Sequence, residues 1–237
     1  MDPKGNTEYD PLTQGLEYSD LVRQDRMGFI RKVLGILCVQ LAFTAAFCVL
    51  VWYGPGVQEW MLENLWLFYV LLVFPLFVIV AFLCYRNTAK KVPYNYILLF
   101  LFTLAESYTL GLFVSLFDGE LVVIGVSLTV VITGALSAYA VFTKHDFTTW
   151  IGGVIVASIA LIFLAIFVAV SQSRIVGLIF CTIAIMIFGM YIVIDAQMLV
   201  GGKRWELSSD DYILGAIALY IDIIGLFIYI MSFLRRT

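Results

Sequence analysis

The feature that most constrains this chain is a series of seven apolar runs, each about 20 residues long, separated by short polar breaks. A helix rises about 1.5 Å per residue, so ~20 apolar residues cross a ~30 Å hydrocarbon core, and a helix satisfies its own backbone N–H and C=O groups where no water can. The runs are 33–53, 65–84, 96–117, 121–142, 151–170, 175–199 and 212–234, following a polar tail of mixed charge over 1–32. With 62% of its residues hydrophobic and 13% charged, the chain is far more apolar than a soluble domain, which runs near ~45–50% apolar and ~25% charged. The expectation is an all-α integral membrane protein, one seven-helix bundle without a soluble catalytic domain. Breaks such as DGE and SQSR are short enough to impose sequential antiparallel packing. Glycine and alanine recur in the later runs, notably Gly215, Ala216, Ala218 and Gly225, and small residues let helices approach closely in lipid. The last helix is therefore expected at the centre of the bundle.

Lysine and arginine orient the bundle, because cytosolic loops carry the excess of positive charge. With a cytosolic N-terminus, eleven of the 14 fall on the cytosolic side, among them Arg23, Arg26, Arg31, Lys32, Lys90, Lys91, Lys144, Lys203 and Arg204. Arg174, Arg235 and Arg236 fall on the other side. The last pair leaves open a final segment that dips into the membrane and returns to the cytosol. The polar tail predicts no cleavable signal peptide, the first apolar run serving as the insertion signal. A net charge of −3 gives no sign of a nucleic-acid partner.

Two aspartates lie inside the last two runs, Asp195 in GMYIVIDAQMLV and Asp222 in GAIALYIDIIGLF. A carboxylate at mid-bilayer costs at least ~2.5–3.5 kcal/mol, so such residues mark function or pairing. Helices joined by a short loop can bring the two together, about 8 and 16 Å from the break at Gly201 at ~1.5 Å per residue. A close carboxyl pair shares one proton. The plainer alternative is a helix–helix hydrogen bond that only fixes packing. Gln197, two residues from Asp195, points to a different helix face. Glu106 in the third run is a candidate for an intramembrane ion pathway. Arg86, at the end of the second, is a candidate latch or counter-ion, or a side chain that snorkels to the headgroups.

Cys38, Cys48, Cys84 and Cys181 lack metal-ligand spacing and read as buried small hydrophobes. His145, the single histidine, stands between Lys144 and Asp146 in a polar break and reads as a solvated loop residue.

The stretch MYIVIDAQMLVGGKRWELSSDDYILGAIALYIDIIGLF, residues 190–227, resembles the transmembrane Bax-inhibitor-motif family, in particular its lifeguard branch with the Golgi anti-apoptotic proteins. The matching features are Asp195 with Gln197, the loop Gly202-Lys203-Arg204-Trp205, the step Asp211-Tyr212, and Leu219-Tyr220-Ile221-Asp222-Ile223-Ile224. Residues 91–111 and 29–44 look like the family's third and first helices. Gly225, where relatives usually carry asparagine, and Ala196, where threonine is common, depart from the pattern. The resemblance implies six helices around a seventh and a pH-sensitive calcium leak gated by paired aspartates, which Asp195 and Asp222 match directly. Arg86 matches, less tightly, the second-helix arginine that pairs with them. It also implies a role in setting store calcium and restraining apoptosis. The implied location is the Golgi or endoplasmic reticulum, with other endomembranes or the plasma membrane as alternatives.

The functional expectation is a calcium leak without a resident cofactor, in which Asp195 and Asp222 ligate Ca²⁺ only transiently, carboxylate oxygens being its preferred ligands. Its partners would be the ion, the bilayer, and other calcium channels or cell-death regulators. Three rivals stand beside it: a regulator that does not transport, a calcium/proton exchanger, and an intramembrane aspartyl protease. The protease lacks its Gly-x-Gly-Asp and Pro-Ala-Leu signatures here.

Overall fold

A computed structural model of the chain describes residues 11–84 and 92–237, with side chains from residue 21 onward except at 83. Its helices are α1 (Pro11–Tyr53), a short α2 (Val57–Glu63), α3 (Leu65–Cys84), α4 (Tyr94–Val114), α5 (Gly119–Phe142), α6 (Ile151–Ser171), α7 (Arg174–Val200) and α8 (Tyr212–Leu234). A 3₁₀ turn, Phe147–Trp150, precedes α6. All helices but α2 are long and apolar enough to cross a membrane. No strand occurs among the described residues.

Each apolar run coincides with one long helix. The main difference is at the start, where α1 has 43 residues and begins at Pro11, well before the first apolar run. At ~1.5 Å per residue it is about 65 Å long, twice a hydrocarbon core, so its polar first half, of mixed charge, extends beyond the length of a span. The turn after it is set by Gly54-Pro55-Gly56, with Gly56 in the left-handed region at φ 74°.

α8 is the central helix, packed on α7, α1, α5 and α4. α3 and α6 form an outer layer, seated chiefly on α4 and α7. α4 and α8 are the most buried spans, while α5 and α6 turn most of their side chains outward. Outward side chains such as Val123, Val130, Ile162 and Phe163 are apolar, as a lipid-facing surface requires.

α8 is one continuous helix of 23 residues, about 35 Å at ~1.5 Å per residue, long enough to cross the bilayer once. Its C-terminal end meets the start of α7: Arg174 donates to the carbonyls of Arg236 and Thr237. The Arg236 guanidinium fills the space where Gly177 lacks a Cβ. A last segment that dips in and returns is thereby excluded, and Arg235 and Arg236 lie at the end of the bundle opposite Arg26 and Lys203. Cys181 is buried and Cys48 half-buried, but Cys38 and Cys84 face outward, which corrects the expectation that all four are buried. The surrounding phase is hydrocarbon, so a thiol as apolar as cysteine's suits either side of a span.

Candidate functional site

α7 and α8 form the most extensive helix pair in the molecule, and Asp195 and Asp222 face each other across it. Their side chains approach closely enough for a hydrogen bond between the two carboxyls when one of them is protonated. A hydrogen bond between two carboxyls requires one proton between them, since an ionised carboxylate only accepts. Asp222 is 6% exposed, and its Oδ2 receives no hydrogen bond from an N–H or hydroxyl.

Apolar residues close the pair off at both ends. Residues three and four apart share a helix face, so Ile192 and Leu199 stand above and below Asp195, and Leu226 and Leu219 above and below Asp222. All four are buried; Ile192 and Leu226 pack in one apolar cluster, Leu199 and Leu219 in another. One turn beyond Asp222, Gly225 leaves a slot that the Phe188 ring enters; a Cβ there would stand 2.6 Å from Phe188 Cδ1. The departure at Gly225 thus belongs to the packing of this seam. Ala196 packs on Ala140 and Val193, off the pair.

On the opposite face of α8, Tyr220 enters a second polar layer that the sequence reading did not anticipate. Thr44 Oγ1 lies 2.8 Å from the Tyr220 hydroxyl and 2.9 Å from Ser107 Oγ. One turn away, Gln40 Nε2 donates to Thr103 Oγ1 at 2.9 Å, while Gln40 Oε1 is buried without a partner. Its sequence signal was the spacing of Gln40 with Thr44 and of Thr103 with Ser107, each pair four apart on a helix face. Glu106 is half-buried on α4, next in sequence to Ser107 of this layer. Arg86 lies outside the described residues.

At the Arg26 end of the bundle the loops are tied together. Gln197 accepts from Phe147 N–H and donates to His145 O, both at 2.8 Å, so its side chain clamps the α5–α6 connection. Lys203 Nζ donates to the carbonyls of Thr143 and His145 at 3.2 Å. Asp146 accepts from Arg204 N–H at 2.9 Å and from Thr148 Oγ1 at 2.6 Å. The Thr148 hydroxyl, the Arg204 amide and the nearby Lys203 hold the Asp146 carboxyl below its ordinary range. Arg26 donates to the carbonyls of Met198, Val200 and Leu207 at 2.6, 3.1 and 2.7 Å, satisfying the carbonyls that end α7. Its guanidinium fills the space beside Gly201, whose φ of 79° also favours glycine. The Gly202-Lys203-Arg204-Trp205 motif therefore serves as a loop-to-loop tie. His145 is exposed, with its ring against Phe147. Among the described residues no group of three or more His, Cys, Asp or Glu comes together as a metal cluster.

Comparison with known proteins gives a consistent grouping. The sequence profile of the family described as "Inhibitor of apoptosis-promoting Bax1" matches residues 26–237. The chain is 28% identical over 221 residues to Protein lifeguard 3 of Mus musculus, covering 89% of this chain and 69% of that protein. It is 28% identical over 216 residues to Protein lifeguard 3 of Homo sapiens, with the same coverage of 89% and 69%. It is 32% identical over 232 residues to the BI1-like protein of Arabidopsis thaliana, covering 95% of this chain and 86% of that protein.

Proposed function

We propose, from the premise that this chain belongs to the family of inhibitors of apoptosis-promoting Bax1, that it is a pH-sensitive calcium leak whose gate is the Asp195–Asp222 pair. The observation that carries the proposal is the closely facing carboxyl pair in a seam otherwise closed by Leu199, Leu219, Ile192 and Leu226. With one proton shared, the pair holds α7 and α8 together and the apolar layers shut the path. Loss of that proton leaves two like charges whose repulsion, for ~4 Å and an effective dielectric of about 20, is about 4 kcal/mol. A bias of that size moves a two-state helix equilibrium most of the way from closed to open.

Ca²⁺ takes about 6–8 oxygen ligands, so two carboxylates make a point of passage and not a resident site. Tyr220 and Thr44 keep the back of α8 fixed to α1 while its front moves against α7. Arg26, Gln197 and Lys203 hold the loop end of the gate. The charge asymmetry of the loops supports a cytosolic N-terminus. The resemblance to lifeguard proteins supports a place in Golgi or endoplasmic reticulum membranes, and a role in setting store calcium that restrains apoptosis.

A second reading, a regulator that does not transport, is favoured by Trp205, which is 57% exposed on the tied loop platform and offers an aromatic anchor to a partner. Purified protein in liposomes loaded with both a calcium dye and a proton dye separates the readings. Passive calcium entry without stoichiometric proton exit is the result expected of a leak. Obligate proton exit makes it an exchanger, and no calcium entry above empty liposomes leaves the regulator.

A further inference from the structure

α8 is not covered evenly on the face away from Asp222. Between α1 and α5 lies a crevice of about 890 Å³, with Ala45 and Val49 on one wall, Val126 and Val130 on the other, and Ile224 and Phe227 as its floor. α1 and α5 each pack on α8 without forming a helix pair with one another, and the gap between them is this crevice. It begins near Trp52 and Glu120, at the end of the bundle where α1 stops and α5 starts, and reaches inward past Thr44 to Leu41. From Trp52 to Leu41 is eleven residues of helix, about 17 Å at ~1.5 Å per residue.

Its occupant must be apolar. The one polar side chain from α1 at its inner end, Thr44, is already engaged with Ser107 and Tyr220, so water would find few partners there. Left empty, the lining would lose dispersion contacts along its length. Val49, Val126 and Val130 are at once crevice walls and part of the outward surface, so the crevice is continuous with the hydrocarbon around the bundle. Its volume falls in the ~300–1,000 Å³ range of small-molecule sites. At the mouth the exposed carboxylate of Glu120 favours a headgroup carrying a cationic amine over a purely anionic one.

We infer that this crevice is a lipid site, which takes one acyl chain of a zwitterionic phospholipid from the bilayer. At 100° per residue, Ile224, Phe227 and Tyr220 all lie on the side of α8 opposite Asp222. The bound chain therefore backs the helix from behind, while α7 meets its front. The bearing of the lipid on gating rests on the leak reading above, but the binding does not.

The test reads binding alone. A variant keeping Trp52 as its single tryptophan, with the other four changed to phenylalanine, is titrated in detergent with phosphatidylcholine brominated in its acyl chains, which quenches tryptophan on contact. Saturable quenching of Trp52 is expected at lipid levels far below those that coat the protein. The saturable component should be lost in Ala45→Phe and in Val126→Phe, and kept in Ile162→Phe on the outer surface of α6. Unlabelled phosphatidylcholine should reverse the quenching more effectively than phosphatidylglycerol. Quenching that rises in proportion to lipid and is the same in all variants would overturn the site and leave only bulk lipid at this face. Equal reversal by the two lipids would overturn the role of Glu120.

Discussion

The Tyr220 hydroxyl lies 2.8 Å from Thr44 Oγ1, which fixes α8 to α1 on the side of α8 opposite Asp222. The central helix is thus held by polar contacts on two faces, one of hydroxyls and one of carboxyls. Hydroxyls do not ionise near neutral pH, whereas a carboxyl pair can change its charge there.

The hydroxyl face is accordingly a matter of stability. In Tyr220→Phe, Thr44 still bonds Ser107, and Ser107 still donates to Thr103 O at 2.6 Å, so the loss should be about 1 kcal/mol, the net value of one hydrogen bond. Thr44→Val keeps the shape but removes the contacts of Thr44 to both Tyr220 and Ser107, leaving the Tyr220 hydroxyl only Ser107 within reach, at about 1–3 kcal/mol. Thermal unfolding in detergent should rank the two variants in that order.

Gly225 is a slot for Phe188. Gly225→Asn should destabilise by about 1–3 kcal/mol through overpacking. Combining it with Phe188→Ala should recover part of that loss, and a double-mutant cycle by thermal unfolding should give a favourable coupling. Additive losses would mean that the ring and the glycine are independent.

Arg26 makes three carbonyl contacts that lysine's single ammonium cannot reproduce. Arg26→Lys should therefore loosen the α7–α8 loop almost as much as Arg26→Ala does. Hydrogen exchange across residues 201–211 should rise in both variants, with exchange in α4 unchanged.

Asp146 sets a pH dependence of its own. Its folded pKa is depressed, first by the Thr148 hydroxyl and then by the Arg204 amide. The tie to Arg204 and Thr148 is therefore complete above the unfolded value near 3.8 and is lost as pH falls through the lower folded value. Exchange of the Thr148 and Arg204 amides should stay slow from neutral pH down to mild acid and quicken only in stronger acid. A flux response near neutral pH would then not come from Asp146.

Much of the fold was legible because lipid leaves few choices. An apolar run of span length has to be a helix, and short breaks impose antiparallel neighbours. The start of α1 at Pro11 was not legible, since helix propensity outside the hydrocarbon leaves no hydropathy signal. Asp195 and Asp222 stood out because a carboxyl in an apolar run needs a reason. Thr44, Thr103 and Ser107 did not, because a hydroxyl in a membrane helix commonly bonds its own i−4 carbonyl, as all three do here as well. Gln197, Asp146 and Lys203 looked like ordinary boundary polar residues, for their partners lie 50 or more residues away. Gly225 read as a departure until the Phe188 ring supplied its reason.

The most direct test of the carboxylate gate is calcium entry into dye-loaded proteoliposomes from about pH 6 to about pH 8, for the wild type, Asp195→Asn and Asp222→Asn. The account predicts wild-type flux that rises with pH as the shared proton is lost, and flux independent of pH in both variants, since an amide cannot develop the second charge. Wild-type pH dependence that survives unchanged in both variants would contradict it.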